Sequence, residues 1–161
     1  MTDADQYLEG LAGRLAADGC AVSREKIGLV GYKAQFSAPS LSRAHVFLIA
    51  GKAGAVDQQV LADFAGGAVE LAVRRKGQLR GFQSAVIVLP VLVADSSDAG
   101  AVAITQRPHR LHAGGFAVMA QPALVDLAAG RAHRFRGVRI WGLAFNSMIK
   151  KKLNLYLPDP S

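Results

Sequence analysis

The sequence predicts a single α+β domain spanning residues 1–161, with a mainly antiparallel mixed sheet of about five to seven strands. Three observations carry this. The chain has 161 residues, 51% hydrophobic and 19% charged, which suits one domain with a core that needs neither metal nor disulfide. Apolar residues recur at helical spacing near the start, in the middle and near the end of the chain. Elsewhere, apolar or alternating runs are bounded by Gly, Pro, Ser and Asp, as strands are.

The N-terminal helix is predicted from Leu8, Leu11 and Leu15, with Thr2 and Asp5 as a capping-box start and Gly19 as a left-handed terminus after Asp18. Strands over 27–36 and 44–50 follow, joined by Ser37, Ala38, Pro39 and Ser40, which favour a turn. The central helix spans about Val56 to Arg75. Val56, Val60, Leu61, Phe64, Ala68, Leu71 and Ala72 share one face, and Glu70 and Arg74 are spaced for an ion pair. Gly66 and Gly67 each cost this helix about 1 kcal/mol relative to Ala, which implies close packing on a sheet or a kink.

The rest reads mostly as strand. Residues 82–94 form a continuous apolar run in which Pro90 implies a bulge or an edge position. Residues 95–100 form a turn leading into 101–105, and 116–120 is a further strand. Residues 123–127 and 132–138 pair as a hairpin about Ala128, Ala129, Gly130 and Arg131. A C-terminal helix over 143–153 carries Phe145, Met148, Ile149, Leu153 and Tyr156 as a core stripe, with Lys150, Lys151 and Lys152 solvated. Pro158 and Pro160 leave 157–161 as a short tail. No repeat, linker or break in composition marks a second domain.

Nineteen Lys and Arg against twelve Asp and Glu give net +7, unevenly spread: residues 1–70 carry net −2 and residues 71–161 net +9. That asymmetry points to an anionic partner. The candidate anion-binding residues are Lys52, Arg74, Arg75, Arg107, Arg110, Arg131, Arg134, Arg136 and Arg139. Lys52 lies in Gly51-Lys52-Ala53-Gly54, between a strand and a helix start, without the Ser or Thr of a full phosphate loop. Asp126, on an apolar strand, is expected to form a structural ion pair with Arg134 or Arg136 across the hairpin.

Several chemistries lack their residues. His109 and His112 are the nearest to a metal pair, but Pro108 and the glycines at 114 and 115 predict an extended segment whose i and i+3 side chains diverge, beside repelling arginines. No metal and no cofactor are expected. No strand carries an acid two residues ahead of a lysine, and Glu25 reads as a loop residue, so a metal-dependent nuclease is not supported. The serines lack a glycine-flanked elbow, and lone Cys20 follows a helix, where it reads as a small core or boundary residue. Trp141 reads as a core plug at a strand-to-helix junction.

The most apolar stretch, residues 85–94, is too short to span a bilayer, and the N-terminus, with Asp3, Asp5 and Glu9, lacks the pattern of a secretory signal. The expectation is a cytoplasmic, non-catalytic interaction module whose basic second half meets an acidic protein surface or assembles with itself. The alternatives are a sequence-nonspecific nucleic-acid binder, including an inactive nuclease-like fold, and an enzyme of unrecognised type.

Overall fold

The computed structural model describes residues 2–37, 42–76, 84–107, 109–113, 116–137 and 143–160. Their order is α1 (Ala4–Ala17), β1 (Ala21–Glu25), β2 (Gly28–Ser37), β3 (Ser42–Val56), α2 (Gln58–Lys76), β4 (Ser84–Ser97), α3 (Ala99–Thr105), β5 (His109–Ala113), β6 (Phe116–Ala120), β7 (Ala123–Asp126), β8 (Arg131–His133) and α4 (Leu143–Tyr156). The fold is the expected α+β mixed sheet. All eight described strands join one sheet, in the order β1-β2-β3-β4-β6-β5, with β7 also beside β4 and β8 beside β7. Four pairings are antiparallel, and the three that involve β4 are parallel.

Alternation along the central strands decides which helices cover which face. Ile87, Leu89, Val91 and Val93 of β4 pack with Leu8, Leu11 and Leu15 of α1 and with Phe145, Ile149, Leu153 and Tyr156 of α4. Val86 and Val88 meet Ala68, Val69, Leu71 and Ala72 of α2. Leu92 and Ala94 meet Ala101 and Ile104 of α3. The sheet is therefore sandwiched between α1 with α4 and α2 with α3. Helix α1 sits close because β2 has Gly31 beneath it, where a Cβ would come within 2.9 Å of Leu15.

Several expectations are corrected. Helix α1 starts one residue later than the Thr2 cap, because Asp3 caps Gln6 N and the Gln6 side chain caps Asp3 N in return. Residues 99–105 are a helix, not a strand: Asp98 accepts from Ala101 N at 2.9 Å and nucleates it. Strand β1 is an additional edge strand, and Glu25 ends it rather than lying in a loop. The run 51–54 continues β3 instead of forming a loop before α2.

Pro90 lies neither at an edge nor at a bulge, but in the central strand opposite Ile49 of β3. Val88 O and Ala94 O both accept bonds on the far side of β4, from Gln121 N and Leu127 N, so the even residues of β4 turn their backbone groups that way. On that side β6 pairs with 86–88 and β7 with 91–94. Pro90 falls in the gap where one neighbour gives way to the next, so its missing N–H breaks no ladder bond. Gly67 has only an ordinary 3.5 Å approach to Ile27 at a built Cβ, and Gly66 faces open space, so neither glycine is required by close packing.

Candidate functional site

The hairpin β7–β8 forms in the register Leu124↔His133, Val125↔Ala132 and Asp126↔Arg131, but its return strand is Arg131–His133 rather than the expected 132–138, so Arg134 and Arg136 lie beyond the strand. Val125 and Ala132 turn into the α1–α4 core, which places Asp126, Arg131 and His133 on the opposite face. Asp126 is buried. The expected ion pair with Arg134 or Arg136 is replaced by other partners: Ser97 Oγ donates to Asp126 at 2.6 Å, and Ala129 N donates at 2.8 Å. Burial opposes the charge of Asp126, but these bonds, a backbone bond from Ser97 and the nearby His133 outweigh it and hold the carboxyl below its usual range. A short hydroxyl and the turn's own amide satisfy the carboxylate locally, so it needs no guanidinium.

Arg134 points to the other side of the hairpin, where its guanidinium donates to Leu157 O. His133 is half-buried; burial lowers its pKa, Asp126 raises it, and Arg131 and Arg136 lower it, leaving the net shift downward. Gln106 links the neighbouring segments, with its Nε2 donating to Arg134 O at 2.8 Å and its Oε1 accepting from Arg136 N at 3.2 Å. Lys150 Nζ donates to Arg136 O at 3.5 Å. Arg107, Arg131 and Arg136 are exposed around this core of bonds.

The remaining candidates divide. Lys52 is paired with Asp5 at 2.9 Å, and its ammonium pKa is raised by that hydrogen bond. The helix start beside it is already occupied, because Asp57 accepts from Val60 N at 2.9 Å. Lys52 lines a polar cavity of about 520 Å³ with Asp3, Asp5 and Asp95, so its surroundings are acidic and ill-suited to an anion. Arg75 is paired with Glu25, whereas Arg74 is exposed and forms no ion pair with Glu70 or any other described carboxylate. Arg110, His109 and His112 sit on β5, and their side chains lie outside the described part; Arg139 and Trp141 lie outside the described residues altogether. Among the described residues, no three His, Cys, Asp or Glu side chains gather as metal ligands.

Sequence reasoning missed one polar cluster. Asp18, at the end of α1, accepts from Lys152 Nζ at 2.5 Å and from the Tyr156 hydroxyl. Lys33 Nζ donates to Asp18 O at 2.6 Å and lies 3.8 Å from the carboxylate. The Cys20 thiol, half-buried, lies 3.5 Å from the Tyr156 hydroxyl. Lys152 is therefore buried and paired rather than solvated, which corrects the reading of the lysine run. Phe145, Ile149, Leu153 and Tyr156 are buried and Met148 packs against them, so the stripe is core. Among the described residues, no helix is long and apolar enough to cross a membrane.

No known family model matches the sequence. No curated protein matches it either.

Proposed function

We propose that this protein is a non-catalytic cytoplasmic interaction module that docks an acidic protein partner on the surface formed by Arg107, Arg131 and Arg136 with Lys150. One observation carries the reading. The described ion pairs neutralise Arg24, Lys33, Lys52, Arg75 and Lys152, whereas none involves Arg107, Arg131, Arg134 or Arg136. The positive excess of the second half is thus left for an outside anion, on a surface where Gln106 is bonded to the Arg134 and Arg136 backbone and Lys150 to Arg136 O. The buried polar side chains Asp126, Gln121, Thr105 and Lys152 are all engaged in bonds that hold the fold together, which favours binding over chemistry.

The test is a titration with polyglutamate, and separately with generic duplex DNA and RNA, at low and at physiological salt. Salt-sensitive binding of polyglutamate, weakened about tenfold or more by Arg107→Glu, Arg131→Glu and Arg136→Glu together, is expected. Tighter binding of either duplex that survives physiological salt replaces this reading with the nucleic-acid one. No binding of any polyanion at low salt removes both.

A further inference from the structure

A cavity of about 330 Å³ lies between the β1–β2 turn and the second half of α2, lined by Glu25, Lys26, Ile27, Gly67, Leu71 and Arg74. Lys26 and Ile27 form a two-residue turn closed by the pair Glu25↔Gly28. Gly67, Leu71 and Arg74 follow at four- and three-residue steps along α2, which places them on one side of the helix. Ile27 and the buried Leu71 give the cavity an apolar wall. Its charges are not balanced internally. Both oxygens of Glu25 are already engaged: Arg75 donates to Oε1, and Ser23 Oγ donates to Oε2 at 3.0 Å. Lys26 and Arg74 are exposed, and neither has an ion-pair partner among the described residues. Two cations from two elements thus border one cavity whose lining carboxylate is already neutralised.

We propose that this cavity binds a small organic anion, with its acidic head held by Lys26 and Arg74 and its apolar body against Ile27 and Leu71. The unpaired cations select the charge: Arg74 offers a fork of donors to a carboxylate or phosphate, and Lys26 adds a point charge. The volume selects the size, because about 330 Å³ is at the small end of ligand sites, which span about 300–1,000 Å³. Gly67 supplies a second, independent argument. Glycine costs a helix interior about 1 kcal/mol relative to Ala. A Cβ built at Gly67 makes only an ordinary 3.5 Å contact with Ile27 Cδ1, so the packing has room for a side chain there. What the missing side chain provides is an open cavity floor. The site shares no residue with the Arg107–Arg131–Arg136 surface and does not depend on it.

The probes are phenyl phosphate and phenylacetate, with inorganic phosphate as the head alone and benzyl alcohol as the body alone, titrated calorimetrically at low salt. Saturable binding of phenyl phosphate, phenylacetate or both is expected, about tenfold or more tighter than either control; the tighter of the two identifies the head group. Lys26→Gln with Arg74→Gln should weaken it about tenfold or more, the scale of one hydrogen bond to a charged group. Both side chains are exposed and outside the described ion pairs, so this variant keeps the fold. Gly67→Leu, which fills the cavity floor, should weaken binding likewise, whereas Arg131→Gln with Arg136→Gln leaves it unchanged. The proposal is overturned if neither organic anion binds saturably, if inorganic phosphate binds as tightly as they do, or if Lys26→Gln with Arg74→Gln leaves the affinity intact. An equal loss in Arg131→Gln with Arg136→Gln also overturns it, because general charge attraction then explains the binding.

Discussion

The Lys152 ammonium lies 2.5 Å from the Asp18 carboxylate, joining the last turns of α1 and α4 across 134 positions of sequence. The Lys152 side chain is only 9% exposed and that of Asp18 23%, so the pair is largely shielded from water. Breaking such a pair on one side leaves an uncompensated charge. Asp18→Asn is expected to cost about 3 kcal/mol in urea unfolding, at the low end for buried pairs because Asp18 retains some solvent. Asp18→Asn combined with Lys152→Met should cost less than Asp18→Asn alone. A double variant as unstable as the sum of the two single variants shows that no coupling exists.

Two acid-sensitive groups sit on one hairpin. The folded carboxyl of Asp126 is held below its ordinary range, so its contribution is complete above the unfolded pKa of about 4 and is lost as pH falls through the lower folded value. The folded pKa of His133 is also lowered, chiefly by burial, so the unfolded state takes up its proton first. Its contribution is complete above about pH 6.5 and is lost as pH falls through the depressed value. Stability measured from neutral to strongly acid pH should fall in two stages. The second stage is shared with Asp18, where burial opposes the charge but the bonds from Lys152 and Tyr156 outweigh it and hold the carboxyl below its ordinary range. His133→Gln should therefore remove the first stage and Asp126→Asn reduce the second; a curve unchanged by either substitution refutes the assignment.

Gly66 lies inside α2, and a Cβ built there meets nothing within 4 Å. Alanine gains helix propensity without a clash, so Gly66→Ala should stabilise the protein by about 0.5–1 kcal/mol. A loss of stability in thermal or urea unfolding contradicts this. If stability rises while binding of a partner falls, the glycine is kept small for contact rather than for folding.

Local signals made much of this fold legible. The leucines of α1, the apolar face of α2 and the strand–turn–strand pattern around Gly130 each lie within one element, where period and turn chemistry act directly. Helix α3 was hidden because Ala99–Thr105 is short and has no polar face, while its cap, Asp98, also reads as a turn residue. The polar sites were hidden for a different reason. Lys152 meets Asp18, and Arg134 meets Leu157 O, only because the sheet brings distant segments together. Charge counted along the chain found the excess in the second half, but not which arginines had already been used by the fold.

The last residues are such a case, because the expected tail is bolted down. Leu157 is fully buried and closes the core beside Leu153. Four bonds hold the backbone and side chains around it: Arg14 Nε to Tyr156 O at 2.7 Å, Arg134 to Leu157 O, the Tyr7 hydroxyl to Pro158 O at 2.7 Å, and Ala132 N to Asp159 Oδ1 at 2.7 Å. Burial pushes the Tyr7 hydroxyl up to about 12, against the pull of Arg14, so it remains a donor across the accessible pH range. Leu157→Ala removes a fully buried side chain and should cost about 2–4 kcal/mol. Tyr7→Phe loses one bond and leaves Pro158 O to solvent, costing about 1 kcal/mol. Truncation after Tyr156 removes both contributions together with the Arg134 and Asp159 contacts, so it should destabilise more than Leu157→Ala. Urea unfolding of the three variants checks the order. A truncated chain as stable as the whole one shows that the C-terminal residues rest on the domain without supporting it.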